Sequence, residues 1–376
     1  MRKILAIYDE DILYAERFAR EVNRKTHVPF EAAAFRTLDG LKKFAAASPV
    51  EVLMISAETD RRAVREIHAA KTVYLADGRS AAGDGDAFCI YKYQSSANII
   101  RELMDRYSET EKNPPMEGIR GMARIYGIYS PLGQCGKTSL AVAVGRILAG
   151  EAPTLLLNLE EFSGFGALAG EDYRSDLSDL LYYFSSGEYS SARLAAVVHT
   201  MNGLDYVPPV HFPEDLDLAK AAELPGLIRR IAAESAYRNL VVDVGRSRKI
   251  TAAILGECDA VFMPERKDPV SQAKIAEFER YLGDSGNGGI AGKIRKVTLP
   301  RTACLPGRSY FDQLVWTEMG RCARGLLMRE RGQLPPETEP RAGEAWGECR
   351  PGEGGSGRIP RRAENRRQSR EQGAVI

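Results

Sequence analysis

Little in this chain of 376 residues suggests covalent or metal staples. Its six cysteines (Cys89, Cys135, Cys258, Cys304, Cys322 and Cys349) form no CxxC pair and no close framework. That argues against a disulfide-stapled secreted fold and against a cysteine-based zinc site. The four histidines (His27, His68, His199 and His211) lack metal-ligand spacing, and no role is assigned to them. No apolar run approaches the roughly 18 residues that span a bilayer. The opening MRKILAIYDED meets acids after a short apolar run and matches neither a signal nor a transit peptide. A cytoplasmic location without direct membrane insertion is therefore expected. Net charge is nearly absent too, with Lys+Arg 52 against Asp+Glu 51. With no global basic surplus to neutralise phosphates, nucleic acid is not an expected partner.

What is present is an alternation of short apolar runs with amphipathic stretches. Strands are expected at Lys3–Tyr8, Phe30–Phe35, Val50–Ile55, Thr72–Leu75 and Phe88–Tyr91, with helices between and a closing helix over Ala97–Tyr107. This reads as an open parallel sheet covered on both faces, occupying residues 1–107. Residues 108–121 are polar, contain Pro114-Pro115 and read as a linker. A second α/β pattern fills 122–332. The remainder, 333–376, is rich in Pro, Gly, Arg and Glu without apolar periodicity, and is expected to be disordered. Its arginines read as a solvated tail rather than a membrane-binding helix.

The chemistry concentrates in the second unit. A strand over Ile125–Tyr129 runs through Pro131-Leu132-Gly133-Gln134-Cys135-Gly136-Lys137-Thr138-Ser139 into a helix carrying Leu140, Ala141, Val144, Ile147 and Leu148. A loop that wraps phosphates needs inward N–H groups, a lysine for the β/γ-phosphates and a hydroxyl for Mg²⁺. Gly136-Lys137-Thr138-Ser139 supplies the last two, preceded by Gly133-Gln134-Cys135, although Pro131 stands where the usual pattern has Gly. An ordinary glycine-containing turn with an exposed lysine is the competing reading. Cys135 reads as a small filler.

Two further strand ends point to the same crevice. Thr154–Leu157 leads into Asn158-Leu159-Glu160-Glu161, and Leu240-Val241-Val242 into Asp243. Asp243 has the arrangement of a Mg²⁺-directed Walker B carboxylate, with a helix cap or turn residue as the alternative. For Asn158 and Glu160 the alternative is a solvated loop.

These segments, together with Val261-Phe262-Met263-Pro264-Glu265, resemble the MinD/ParA group of deviant-Walker P-loop ATPases over about residues 122–329. The resemblance implies ATP and Mg²⁺ as cofactors and a three-layer αβα domain. It also implies a nucleotide-dependent homodimer, with Lys137, Asn158 and Glu160 in catalytic roles. The family's second signature lysine falls at Leu132, which implies slow or absent hydrolysis. The first unit resembles a flavodoxin-like response-regulator receiver: Asp9, Glu10 and Asp11 follow the first strand, and Lys92 follows the fifth. Ser56 stands where a receiver's phosphoacceptor Asp would be, so the resemblance is to a pseudo-receiver.

This domain order is similar to that of TadZ/CpaE-type proteins. That implies pilus and secretion assembly proteins as partners, at the cell pole or membrane periphery. The alternatives are a scaffold with a decayed nucleotide site, a ParA-type partitioning ATPase, and a receiver-coupled transcriptional regulator. The last lacks any helix-turn-helix signal. Tyr182, Tyr183 and Phe184 read as helical core packing.

Overall fold

A computed structural model describes residues 2–78, 88–110, 122–171, 173–218, 222–245, 250–300 and 310–333. The first lobe comprises β1 (Lys3–Tyr8), α1 (Ile12–Arg24), β2 (Phe30–Phe35), α2 (Leu38–Ala47) and β3 (Val50–Ser56). It continues with α3 (Arg61–Arg65), β4 (Ala69–Ala76), β5 (Phe88–Tyr91) and α4 (Ser96–Thr110). Its strands lie in the order β2-β1-β3-β4-β5, and every neighbouring pair is parallel. That is the flavodoxin-like, doubly wound order. Alternation along each strand supplies the two faces. Leu5, Ile7, Val52 and Met54 pack with α1 and α4, whereas Ala6, Leu53 and Ile55 pack with α2 and α3.

The second lobe opens with β6 (Arg124–Ile128), α5 (Lys137–Ala149), β7 (Thr154–Asn158), α6 (Phe165–Ala169), α7 (Leu177–Ser185) and α8 (Ser191–Val197). There follow β8 (His199–Met201), β9 (Leu204–Val207), α9 (Glu214–Leu218), α10 (Glu223–Glu234), β10 (Asn239–Asp243) and α11 (Thr251–Glu257). The lobe ends with β11 (Ala260–Glu265), α12 (Pro269–Asp284), α13 (Gly288–Ala291), β12 (Ile294–Thr298), α14 (Tyr310–Leu314) and α15 (Glu318–Glu330). Strand order is β12-β11-β6-β10-β7-β9-β8, and within this sheet β8 pairs antiparallel with β9. Leu240 and Val242 of β10 face a core shared with α7, α8, α10 and α11, while Val241 faces the core built on α5 and α15. The lobe is therefore a three-layer αβα sandwich.

The α/β architecture expected for both regions is present, and the strands coincide to within a few residues. The β8–β9 hairpin was not anticipated. Its turn, Asn202-Gly203, has positive φ at both residues, 47° and 85°, the left-handed geometry that Asn-Gly accommodates and that suits the twist of a hairpin. The expected linker needs correcting at its start, because α4 stays helical to Thr110. Residues 111–121 and the expected disordered tail from 334 lie outside the described residues. Tyr182 also departs from expectation: it is 67% exposed, while Leu177, Leu180 and Leu181 form the buried face of α7.

Residues Met1–Leu334 form one compact unit, and the reason lies in a joint between the two sheets. Ala192, Ala195 and Ala196 of α8 enter the first lobe's core beside Ile99, Leu103 and other residues of α4. Small side chains allow that close helix approach. Beside it, His27 Nδ1 lies 2.8 Å from Asp205 Oδ2, and the Tyr237 hydroxyl donates to the same oxygen at 3.0 Å. Lys25 donates to Thr200 Oγ1 (2.7 Å), and that hydroxyl donates to Asp205 Oδ1 (2.6 Å). A buried carboxylate is thus supplied with donors from both lobes.

Candidate functional site

The site is assembled at the carboxyl end of the second sheet. β10 lies between β6 and β7, with Asp243 in register with Ile128 on one side and Asn158 on the other. The loop from β6 to α5 therefore arches over the ends of two strands that carry polar side chains, the usual ligand crevice of such sheets.

The loop has the form of an anion cradle. Ser130 Oγ donates to Pro264 O (2.7 Å) and accepts the Leu132 N–H (3.2 Å), fixing the entry. Gln134 has φ 49° and Gly136 φ 86°. These left-handed steps turn successive N–H groups to one side. A Cβ on Gly136 would also lie 3.0 Å from Leu299 Cδ1. The N–H groups of Gly133, Gln134, Cys135 and Gly136 meet no acceptor among the described residues. Helix α5 then begins at Lys137 without a side-chain cap. Unsatisfied donors at the start of a long helix are suited to a bound anion.

Around the cradle stand the other expected residues. Lys137 is 6% exposed, and its Nζ lies 2.7 Å from Glu160 Oε1. Asn158 Oδ1 accepts the Glu160 N–H at 2.9 Å, and Asn158 Nδ2 reaches Asp243 Oδ2 at 3.5 Å. Asp243 is fully buried, and burial pushes its carboxyl up to about 7. The Thr138 hydroxyl opposes that rise, the Glu160 charge adds to it, and Lys137 opposes it. Although Thr138 is this close, Asp243 Oδ1 has no donor in hydrogen-bond geometry.

An orphaned carboxylate oxygen beside a threonine hydroxyl fits a hard divalent cation. Mg²⁺ takes one or two protein oxygens and completes its shell with water and phosphate. Among the described residues no group of three or more His, Cys, Asp or Glu could hold a metal alone. Thr138 and Asp243 would hold Mg²⁺ here, and it would supply charge neutralisation for phosphate oxygens.

Other sequence expectations resolve individually. Cys135 is buried with Leu132, Met263 and Ile275 as packing. Leu132 is 4% exposed in that same cluster and belongs to the core. The Ser139 hydroxyl lies 2.7 Å from the Tyr310 hydroxyl and ties α5 to α14. Gln134 is exposed, and its carbonyl accepts from the Arg266 guanidinium (2.6 Å).

Arg266 was not anticipated; Gly245, which closes the Walker-B-like segment of the sequence, lacks a Cβ that would fall 2.1 Å from Leu159 O. A cavity of 670 Å³ opens beside the loop, lined by Gln134, Gly136, Ser139, Arg266, Leu299 and Tyr310 among others.

In the first lobe, Asp9 and Lys92 do meet. Lys92 Nζ donates to Asp9 Oδ1 at 2.8 Å, and the ammonium stands 4.9 Å from the Tyr14 ring centroid. Asp11 instead caps α1, accepting the Leu13 and Tyr14 N–H groups, and Glu10 is exposed. Ser56 is buried at the end of β3, where its Oγ accepts the Glu58 N–H.

No family model and no curated protein sequence matches the chain. Among solved structures, it is similar to cobyrinic acid a,c-diamide synthase from Mycobacterium smegmatis with bound ATP analog and magnesium. That match has 15% identity and TM-score 0.43, over 57% of this chain and 98% of the other. It is also similar to a ParA family ATPase from Chlorobium tepidum (18%, TM-score 0.42, over 52% and 81%). A third likeness is to the Pyrococcus furiosus cell division ATPase MinD (17%, TM-score 0.36, over 44% and 68%). The reading of the site rests on this chain's own residues.

Proposed function

We propose that the chain is a Mg²⁺-dependent ATP-binding switch of the MinD/ParA kind, with hydrolysis slow or absent. One observation carries the reading: a run of unsatisfied N–H groups, a buried lysine and an orphaned carboxylate oxygen converge on one crevice. The N–H groups of Gly133–Gly136 and Lys137 receive the β/γ-phosphates, and the cavity beside Gln134 and Leu299 has room for the nucleoside. Asn158 holds Glu160 and Asp243 in relation to each other, which makes the β7 end the sensor of the terminal phosphate. Slow hydrolysis follows from Leu132, since a buried leucine supplies no cation to the developing charge.

In this reading nucleotide binding drives homodimerisation. The finer role is TadZ/CpaE-like: a positioning factor for a pilus or secretion apparatus, working through protein partners at the cell periphery. Size measurement and thermal denaturation with and without Mg-ATP test the reading. Saturation at a hundred times Kd stabilises the folded state by about 2.7 kcal/mol, and Lys137→Ala is expected to abolish both the stabilisation and the size change. A Lys137→Ala variant that dimerises like wild type would remove nucleotide from the account. Turnover at ordinary ATPase rates would overturn slow hydrolysis alone.

A further inference from the structure

The phosphate cradle is already answered by a negative charge of the protein's own. The geometry points to Glu160 as a built-in competitor of the nucleotide: its carboxylate neutralises Lys137 in the empty site and must leave when phosphate arrives. This rests on reading the loop as a nucleotide cradle, and it adds a determinant of affinity.

The ammonium of Lys137 is nearly enclosed, and Glu160 Oε1 lies 2.7 Å from it. A phosphate and a carboxylate cannot share one buried cation without like-charge repulsion at close range. Glu160 also differs from a structural partner in how it is held. Its backbone is fixed: its N–H donates to Asn158 Oδ1 (2.9 Å), and the Leu159 N–H donates to Asp243 O (2.9 Å). Gly245 lies directly against this segment. The side chain, by contrast, is 21% exposed and has water as an alternative.

Beyond it the chain starts out exposed and is anchored again at Phe165, which is buried. Glu161 is exposed, Phe162 is 87% exposed, and Gly164 and Gly170 carry left-handed φ of 62° and 72° at the two ends of α6.

Population arithmetic sets the size of the effect. If the unpaired form of Lys137 is about a tenth of molecules, apparent affinity is about tenfold weaker than that of a site without the competitor. The experiment is calorimetric titration of the full chain with ADP and, separately, with tripolyphosphate, for wild type, Glu160→Gln and Glu160→Ala. Both variants are expected to bind both probes about tenfold more tightly. The effect is shared because it acts on phosphate and not on the base. Wild type that binds while both variants bind equally or more weakly overturns the competitor and leaves the nucleotide reading intact. Folded protein in which none of the three binds either probe overturns both.

Discussion

Each lobe buries one lysine against one carboxylate at the carboxyl end of a parallel sheet, yet the two pairs are not the same device. In the first lobe Asp9 is 1% and Lys92 11% exposed, and the tyrosine rings of Tyr14 and Tyr93 stand 4.9 and 5.7 Å from the ammonium. Burial alone would lower the lysine's pKa, but the hydrogen bond and charge of Asp9 outweigh it, and the ammonium is held charged. In the second lobe the lysine sits beside four N–H groups that meet no acceptor among the described residues, and its acid is more exposed. The lesson is that an ion pair becomes a switch only when its surroundings offer one partner a replacement.

The sharpest way to break that comparison is to delete both lysines and compare stability. Lys92→Met leaves Asp9 buried without its cation, and its Oδ2 already lacks a partner. Removing one member of a buried pair costs about 3–5 kcal/mol, so a large drop in the urea midpoint is expected without any change in nucleotide affinity. Lys137→Ala should move the midpoint far less, because Glu160 turns to solvent. Equal losses from the two variants would show that the pairs are alike after all.

A smaller effect of opposite sign is expected at Asp243. Burial has raised its carboxyl to about 7, and its Oδ1 is unsatisfied. At pH 8 Asp243→Asn replaces a buried charge by a neutral side chain of similar shape, and a gain of roughly 1–3 kcal/mol in the nucleotide-free protein is expected. The same variant should lose the Mg²⁺ dependence of nucleotide binding. Functional residues that destabilise their own fold are a familiar trade. A destabilised Asp243→Asn protein would mean that the carboxylate is structural.

Much of this was legible in the sequence, and the omissions share a cause. The short apolar runs KILAIY and VEVLMI and the strand-loop-helix around Lys137 are local signals, and they lead to the right elements and strand ends. The Asn202-Gly203 turn is equally local and could have been read, but its strands are only three and four residues long. The joint is different in kind. His27 finds Asp205 178 residues away, and Arg101 finds His199 98 residues away. No spacing rule reaches that far, so histidines without metal-ligand spacing turned out to be inter-lobe contacts. The Lys137–Glu160 pair lies between these cases: both residues were legible as site candidates, while their pairing depends on β7 lying next to β10.

That joint yields the smallest expected effect, and its sign can be worked out. His199 Nδ1 lies 2.9 Å from Glu171 Oε2, with the Arg101 guanidinium also at 3.2 Å. Burial holds the His199 imidazole below its usual value against the pull of Glu171, and the His199 hydrogen bond holds the Glu171 carboxyl below its own. In both groups the folded state binds protons less readily than the unfolded chain. Their contribution to stability is therefore complete above the ordinary values of 6.5 and 4.5, and is lost as pH falls through the lower folded ones. Glu171 is 43% exposed, so solvent screening keeps its share within about 1 kcal/mol. Urea denaturation of wild type and Glu171→Gln should differ by that much at pH 7 and converge as pH falls through the lowered folded value, where the wild-type carboxyl becomes protonated. A gap that persists in acid would assign the effect to packing at the joint, not to charge.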